Sequence, residues 1–306
     1  MKRWLPIITV VVVGLAALLY SEYSKDTTTA GPRSFLNWLA QTQRQTVSVP
    51  LRVTRLTDAE ENRVGAELAA RYSAQLKSNW NPAADDPIEQ YINEVGARLV
   101  GGTIKAPSIV GLRTRRKLSY KFYYVPQRYM VNAFAFPGGH IFVGEGLLAL
   151  MTSEDQLAAV LGHEIEHVDL FHCQERIQIE THARKIPLGG LLMLPVEIFQ
   201  AGYSKDQELQ ADREGTILAV NATYSAQGAI EVFETLGRLY QRQQRRPKDP
   251  GDEMSRLAWQ TLAEYFRSHP TPDERIRQIQ DLMDSRKLPL RQERNLRVQV
   301  PTTVRR

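Results

Sequence analysis

One short stretch inside an apolar, helix-forming run constrains this chain of 306 residues more than any other. It reads Leu161-Gly162-His163-Glu164-Ile165-Glu166-His167. The two histidines are one helical turn apart, about 6 Å along the axis and roughly 40° around it, so both imidazoles can reach one cation. This spacing is typical of a tetrahedral Zn²⁺ site with one open position, beside which the glutamate can take a proton from water. An ordinary helix with two histidines by chance is the alternative, so the motif needs a third ligand.

The first 23 residues predict a membrane segment. Lys2 and Arg3 precede an apolar run over residues 5–20, and the residues that follow make a poor signal-peptidase site. We expect an uncleaved signal anchor over residues 1–23, with the body of the chain on the periplasmic side of the cell membrane, because the N-terminal flank is positive. Secretion after cleavage of a signal peptide, for instance after Ala30, is the alternative.

Charge and cysteine content exclude several kinds of site. The formal net charge is +5, and Arg and Lys are densest in residues 285–306. Because that tail has no interleaved aromatic residues and no nucleic-acid motif, we expect a solvated basic arm and no nucleic-acid partner. An anionic membrane surface is the partner considered second. Cys173 is the only cysteine, which excludes an internal disulfide and a cysteine-based zinc site.

Hydrophobic periodicity predicts a spacer over residues 24–56, a mostly helical body with a few strands over residues 57–284, and the basic tail over residues 285–306. The predicted helices are Thr57–Lys77, Pro87–Val100, Ser153–Ile179, Ser204–Val220, Ser225–Gln241, Met254–Phe266 and Pro272–Met283. The predicted strands are Ser119–Val125, Met130–Phe136 and His140–Val143, the last two joined by Pro137-Gly138-Gly139. Residues 186–199, apolar but broken by Pro and Gly, predict a lid or hairpin near the site.

The third ligand has two possible locations. The extension H-E-x-x-H-x-x-G-x-x-H fails here, because His172 is one position out of register. A glutamate from a second helix is the other possibility, and Glu208 stands at a capped helix start about forty residues downstream. Asp212 lies one turn later on the same face, where it can accept the far N–H of a ligating imidazole. An exposed acidic face is the alternative for this pair.

Four pieces of the chain together resemble the M48 family of membrane-associated zinc metallopeptidases, the group that includes the Oma1-like and HtpX-like proteases. They are Asn132-Ala133-Phe134-Ala135-Phe136-Pro137-Gly138-Gly139, His163-Glu164-x-x-His167, Glu208-x-x-Ala211-Asp212, and His269-Pro270 with Arg275. The resemblance covers roughly residues 57–283. It implies an α+β, mostly helical, zincin-type (gluzincin-like) domain with a small β-sheet next to the active-site helix, preceded by one N-terminal membrane segment.

The resemblance also implies roles for individual residues. One Zn²⁺ per chain would be bound by His163, His167 and Glu208, with Glu164 as the general base and Asp212 holding a ligating imidazole. The segment before the zinc motif resembles the edge strand on which the family binds extended peptides. In that strand we expect Phe134 and Phe136 to be core, and Ala133 and Ala135 to leave the other face uncrowded. Possible substrate-binding or regulatory residues are Asn132, Gly138, Gly139, His140 and His269.

The function expected from these patterns is zinc-dependent endoproteolysis of misfolded or misassembled envelope proteins. Candidates for a second electrophile are His140, His269, Arg213 and Tyr224. His269 has another possible role, occupying the open zinc position to hold the enzyme latent, although His269-Pro270 can equally cap a helix. A membrane-tethered holdase and a structural anchor are competing classes, and Glu164 argues against the holdase because a binding module needs no general base.

Overall fold

A computed structural model describes residues 56–101, 116–183, 197–200, 203–245, 271–289 and 291–298. The predicted signal anchor, the spacer before residue 56, the predicted helix Met254–Phe266 and His269 lie outside the described residues, as does most of the stretch 186–199. Within the described ranges, no helix combines the length and apolar character that crossing a bilayer requires.

Nine α-helices and three strands make up the described part of the chain. The helices are α1 (Asp58–Leu76), α2 (Pro82–Gly101), α3 (Glu145–Leu148), α4 (Glu154–Asp169), α5 (His172–Ala183), α6 (Glu197–Gln200), α7 (Lys205–Asn221), α8 (Gln227–Arg245) and α9 (Pro272–Arg286). The strands are β1 (Lys121–Val125), β2 (Ala133–Phe136) and β3 (His140–Gly144). A mostly helical α+β fold is thereby confirmed.

Capping explains where α1 and α7 begin. Thr57 and Glu60 form a reciprocal capping box at α1, and Ser204 and Gln207 form another at α7. Helix α2 begins five residues earlier than predicted and contains Pro87. Pro87 is the sixth residue of α2 and has no N–H, so the helix lacks the backbone hydrogen bond from position 87 to the carbonyl of Ala83 in its second turn.

The sheet has the order β1-β3-β2, so β2 is an edge strand. Strand β1 runs parallel to β3, whereas β2 is antiparallel to it. The turn between β2 and β3 needs glycine, because Gly138 and Gly139 have φ angles of 78° and 90°. Strand β2 is shorter than predicted: it begins at Ala133, since Met130 donates a turn hydrogen bond to the carbonyl of Gln127.

The two faces of the sheet pack against different helices. Phe134 and Phe136 lie in a core cluster with Tyr72 of α1, and the ring centroids are 5.6 and 6.0 Å from that of Tyr72. Their prediction as core residues is confirmed. Ala135 is 1% exposed and belongs to the cluster that contains α4. Its small side chain therefore makes room for a helix, and the expectation of an uncrowded face at Ala135 is wrong.

Helix α4 lies at the centre of the domain and crosses α7 at very short distance. A Cβ atom on Gly215 would come within 2.7 Å of the Gly162 carbonyl carbon and the His163 nitrogen, so both positions must lack a side chain. This close approach brings α7 against the part of α4 that carries the two histidines.

Helix α4 is shorter than predicted. It ends at Asp169, and Phe171 adopts a φ angle of 67° before α5 begins at His172. Arg116 stabilises the break, because it donates to the carbonyl of Val168 at 2.9 Å and lies 4.0 Å from the centroid of the Phe171 ring. The prediction of one continuous helix to Ile179 is therefore wrong.

Part of the basic tail is not a solvated arm, contrary to prediction. Asn295 forms an antiparallel bridge with Ser153, and the carbonyl of Arg294 accepts the Glu154 N–H at 2.8 Å. Arg297 lies 3.3 Å from the buried Glu154 carboxylate. The acids in the first turn of α4 attract these arginines, so the tail segment, residues 291–298, crosses the start of the helix.

Candidate active site

The two histidines of α4 and the glutamate of α7 meet at one point. The Nε2 atoms of His163 and His167 are 2.9 Å apart. The Glu208 carboxylate oxygens lie 3.4 Å from Nε2 of His163 and 3.8 Å from Nε2 of His167. The backbone N–H of Tyr203 donates to Glu208 at 2.9 Å and helps to hold the carboxylate in this position. The structure thus brings the three predicted ligand residues together.

This donor set fits a zinc ion. Donor atoms about 2.0–2.2 Å from a tetrahedral ion lie about 3.4 Å from one another, within the range of separations seen here. One ligand atom from each of the three residues lies within 4.8 Å of the others. His163 presents Nδ1 to the Asp212 carboxylate at 2.8 Å, which places the proton on Nδ1 and leaves the Nε2 lone pair free for a metal.

Asp212 links His163 to an arginine on α9. Arg275 donates to the two Asp212 oxygens at 2.7 and 2.5 Å. Burial alone would raise the Asp212 pKa, but the charge and hydrogen bonds of Arg275, together with His163, lower it. Burial likewise acts to lower the His163 pKa, yet hydrogen bonds to Asp212 and Glu208 raise it to about 10 in the metal-free site. The Asp212 carboxylate is therefore charged and oriented.

His167 is held by two residues that sequence reasoning missed. The Tyr203 ring stacks on the His167 ring, with centroids 3.9 Å apart and planes 19° from parallel. The Nδ1 atom of His172 lies 3.0 Å from Nδ1 of His167. Only the change of direction at Phe171 folds His172 back toward α4. The sequence shows His172 next to the motif, but ligand spacing considers it only as a metal ligand and not as a partner of His167.

Glu164 is a buried carboxylate beside the metal-ligand cluster. It is 7% exposed, and burial raises its pKa to about 7, since the opposing effect of His163 is smaller. Together with His163 it lines a cavity that also reaches Asn132 and Ala133 of the edge-strand region. A carboxyl group with this pKa can accept and return a proton near neutral pH.

The edge strand β2 has backbone groups that point away from β3, and one of the residues that carry them also lines the cavity. The Gly144 N–H donates to the Asn132 carbonyl at 3.0 Å, and backbone polar groups alternate in direction along an antiparallel pair. The N–H and C=O groups of Ala133 and Ala135 therefore point away from β3. The Cys173 thiol lies 3.7 Å from the Ala135 carbonyl. Of the two residues, Ala133 also lines the cavity.

Other predicted residues lie away from this cluster. The Tyr224 hydroxyl donates to Glu154 at 3.1 Å, about 13 Å along the α4 axis from His163, so Tyr224 is not a second electrophile. His140 is 3% exposed and its Nδ1 lies 2.9 Å from the Tyr123 hydroxyl. The Arg213 guanidinium lies 4.0 Å from the Glu214 carboxylate. Neither His140 nor Arg213 lines the cavity.

The two glycines of the turn after β2 pack against neighbouring residues of the fold. The Gly138 N–H donates to the buried Glu61 carboxylate of α1 at 3.1 Å. A Cβ on Gly139 would meet the Tyr120 ring at 2.8 Å. These contacts fix the turn between the edge strand and β3. Of the predicted substrate residues that the structure describes, Asn132 lines the cavity, whereas Gly138, Gly139 and His140 do not.

Comparison with known proteins decides the family. The family model described as Peptidase family M48 matches residues 91–283, a range that includes the edge strand, the two histidines, Glu208 and Arg275. The chain belongs to peptidase family M48. The M48 match ends before the tail segment.

Named relatives of this M48 chain occur in bacteria and mitochondria. It is 27% identical over 67% of its length to a putative beta-barrel assembly-enhancing protease of Vibrio cholerae, covering 41% of that protein. It is 29% identical over 49% of its length to the mitochondrial metalloendopeptidase OMA1 of Schizosaccharomyces pombe, covering 43% of it. The metalloprotease LoiP of Escherichia coli is 28% identical over 55% of the chain and is covered to 64%. The chain thus spans about two fifths of the length of the first two relatives.

Proposed function

We propose that this protein is a zinc-dependent metalloendopeptidase with one Zn²⁺ per chain, held by His163, His167 and Glu208. The observation that carries the proposal is the meeting of three metal-ligating side chains, one ligand atom of each lying within 4.8 Å of the others, beside the buried carboxyl group of Glu164. M48 metallopeptidases are in general zinc enzymes, which agrees with this donor set. Zinc, when bound, supplies a Lewis acid for peptide-bond hydrolysis.

The side chains of the site divide the remaining work. Glu164 takes a proton from the attacking water and returns it to the leaving amine. Asp212 keeps the proton of His163 on Nδ1, so that Nε2 stays a ligand. Arg275 neutralises Asp212 and so lowers the cost of a buried carboxylate next to Glu208.

The substrate is an extended polypeptide that pairs with the edge strand. Ala133 supports this proposal, because its backbone groups point away from β3 and the residue lines the cavity. A peptide added at this edge gains main-chain hydrogen bonds that do not depend on its sequence. Misfolded chains, which expose extended segments, satisfy that requirement.

We further propose that the substrates are misfolded or misassembled envelope proteins. The basic and apolar N-terminal residues support an anchor in the cell membrane with the catalytic domain on the periplasmic side, secretion being the alternative. Relatives named beta-barrel assembly-enhancing proteases agree with a role at the envelope. The membrane and protein substrates are thus the proposed partners, and nucleic acid is not.

Casein cleavage by the Glu164→Gln variant tests the mechanism. We expect zinc content and the circular dichroism spectrum to match the wild type, while the cleavage rate falls at least about 100-fold because the proton acceptor is lost. Glu234→Gln on the exposed side of α8 is the matched control and should cleave normally. Equal rates for Glu164→Gln and wild type would overturn the mechanism. A holdase, in contrast, would suppress aggregation equally with either residue at position 164.

A further inference from the structure

The tail segment, residues 291–298, contacts the start of α4, helix α8 and the turn between α7 and α8. We propose that the docking of this segment depends on pH and that Glu293 is the group responsible. The segment is held more tightly in mildly acidic solution than at neutral pH. The inference goes beyond the proposed function, because neither zinc nor peptide cleavage enters into it.

Backbone hydrogen bonds fix the position of Glu293. The N–H of Arg294 donates to the Asp155 carboxylate at 2.6 Å, and the carbonyl of Arg294 accepts the Glu154 N–H at 2.8 Å. Glu293 directly precedes Arg294 in the chain. Docking of the tail segment therefore carries the Glu293 side chain to the start of α4, where it leaves bulk water.

The Glu293 carboxyl group lies among acids of two helices. It is within hydrogen-bond reach of Glu231 on α8 and of the Ser153 hydroxyl, and the charge of Asp155 on α4 acts on it as well. Its Oε1 atom is buried and accepts no hydrogen bond from the residues that the structure describes. A charged carboxylate in this position therefore has both a missing donor and a like charge beside it, and each of these disfavours docking.

The polar groups next to Glu293 have no donor to spare. The Gln156 amide uses both of its N–H groups, because Nε2 donates to Glu231 at 2.8 Å and to the Thr152 hydroxyl at 3.0 Å. The Asp155 carboxylate can only accept, and it already accepts two backbone N–H groups. A proton on Glu293 supplies the missing donor, since a neutral carboxyl group can donate to the Glu231 carboxylate.

The positive charges of the tail segment are engaged elsewhere. Arg294 donates to the Thr223 hydroxyl at 2.7 Å, and Arg297 lies 3.0 Å from the Glu94 carboxylate. Arg291 is exposed. The other charged groups of this network are Glu154 on α4 and Arg98 on α2, which pair with each other at 2.9 Å. The charges that act most strongly on Glu293 are therefore negative.

The direction of the pH dependence follows from the two states of the segment. Burial raises the pKa of the docked Glu293 to about 7, and the nearby carboxyl groups act in the same direction. In the undocked segment the side chain is in water, where its ordinary pKa is 4.5. The docked state binds the proton more tightly, so docking is strongest below pH 4.5 and weakens as the pH rises through 7.

Hydrogen exchange of the full chain, read by mass spectrometry at pH 4.5 and pH 7.5, measures this docking. The Glu154 N–H lies in the first turn of α4, where it has no partner within the helix, so its protection reports the bond to the Arg294 carbonyl. After correction for the intrinsic exchange rate, wild-type protection should fall with rising pH. Each pKa unit is a factor of ten, but solvent screens the partly exposed Glu293, so we expect a change of at least about tenfold.

Glu293→Gln is the matched variant, because its amide carries an N–H donor at every pH. Protection of the tail segment and of the start of α4 should then be equal at both pH values. Glu234→Gln, on the exposed side of α8, should keep the wild-type dependence. Effects of pH on the rest of the fold, such as that of the buried His140, are common to these proteins and cancel in the comparison.

Three results would overturn the inference. They are wild-type protection that is equal at both pH values, a wild-type segment that is unprotected at both, and the same pH dependence in Glu293→Gln as in wild type. If Glu293→Gln leaves the segment unprotected throughout, Glu231→Gln decides, because it places the donor on α8 instead. Protection independent of pH in that variant supports the inference, and any other result overturns it. None of these measurements requires cleavage, so the peptidase assignment can fail separately.

Discussion

Two chemically different acceptors hold the two imidazoles of the site. Asp212, a carboxylate neutralised by Arg275, lies at Nδ1 of His163, whereas His172, another imidazole, lies at Nδ1 of His167. If His167 offers Nε2 to a metal, its Nδ1 carries the proton and His172 must accept it in the neutral form. The orientation of His167 therefore depends on a residue outside the predicted ligand set.

His172→Ala should weaken zinc binding. Removing the acceptor leaves the His167 tautomer unfixed, and loss of such a partner costs about 10–100-fold in metal affinity. Competition with a chromogenic chelator measures the affinity, and His172→Gln, which retains an acceptor oxygen, should recover part of it. Identical zinc affinity in wild type and His172→Ala would show that Tyr203 alone suffices to orient His167.

The residues predicted at the site are those whose relation is local in sequence. His163 and His167, like Glu208 and Asp212, stand four apart on one helix, so helical geometry alone puts each pair on one face. The contact of Tyr203 with His167 and the ion pair between Arg275 and Asp212 depend on how separate helices pack. The residue spacing within one helix gives no information on that packing. Tyr224 was a wrong candidate for the same reason, because its direction depends on tertiary contacts.

At the scale of elements, the glycine contact between α4 and α7 determines whether Glu208 can reach the histidines. Gly162 precedes His163 directly, and Gly215 lies two turns after Glu208 on α7. A side chain at either position would separate the helices, because the nearest backbone atoms are within 2.7 Å of the added Cβ. Backbone atoms cannot move aside as a flexible side chain can.

Gly215→Ala should therefore damage both stability and metal binding. We expect unfolding free energy to fall by about 1–3 kcal/mol from overpacking, and zinc affinity to fall as Glu208 moves outward. Urea denaturation and chelator competition measure the two effects. Gly237→Ala is the control, since its Cβ would be 3.4 Å from Pro272 and alanine favours a helix by about 1 kcal/mol. A Gly215→Ala protein as stable as wild type would contradict the close approach.

The tail segment should contribute to the stability of α4. Ending the chain after Pro289 removes the contacts of Arg294 and Arg297 with Glu154 and Asp155. Acidic groups left without these donors cost about 1–3 kcal/mol, so we expect a lower Tm in thermal melts. Ending the chain after Val298 retains the contacts and should leave the Tm unchanged. A Tm that is equal in both shortened chains would argue against a structural role for the segment.

Elements with local start signals could be predicted, and those determined by packing could not. Thr57 and Ser204 mark the starts of α1 and α7 because a capping box satisfies its donors within four residues. The end of α4 has no comparable signal: Leu170 and Phe171 suit a helix, and the contact with Arg116 breaks it. The prediction of a solvated basic arm is wrong for the tail segment because its acidic partners lie about 140 residues earlier in the chain, where no local sequence pattern relates them to the tail.

At the scale of the whole molecule, the stability of the fold should depend on pH through His140. Burial and the positive charge of Lys121 lower its pKa to about 4, from an ordinary value of about 6.5. The unfolded chain therefore binds a proton more readily, so stability is complete above pH 6.5 and is lost as the pH falls toward 4. The full effect is about 3 kcal/mol.

His140→Gln should flatten this dependence between pH 6.5 and pH 4. Urea denaturation at several pH values measures it, with the difference in slope between wild type and variant isolating the contribution of His140 from those of other histidines. Loss of the Tyr123 contact lowers the stability of the variant by the same amount at every pH and so does not affect the slope. Parallel curves for the two proteins would show that His140 does not carry the effect.

At the scale of the whole domain, the family could be predicted from the sequence. Its four motifs are short, they occur in a fixed order, and they contain histidine, glutamate, aspartate and arginine, which few other residues can replace in a metal site. The match over residues 91–283 confirms that resemblance. The membrane segment over residues 1–23 remains a prediction, as do the boundaries of the spacer. Apolar length and flanking charge are general properties, and a single run of this kind serves both anchors and cleavable signals.

Because the tail segment crosses the start of α4, this part of the fold can be completed only late in the synthesis of the residues described. Glu154 and Arg297 are joined by an ion pair although 143 residues separate them, so the helix that carries the histidines is synthesised long before its partners. Domains form as the chain emerges, but this contact can form only after Arg297 has been synthesised. The contacts of the tail segment with the start of α4 therefore form late, and a chain still being made lacks one of the restraints on the helix that carries the two histidines.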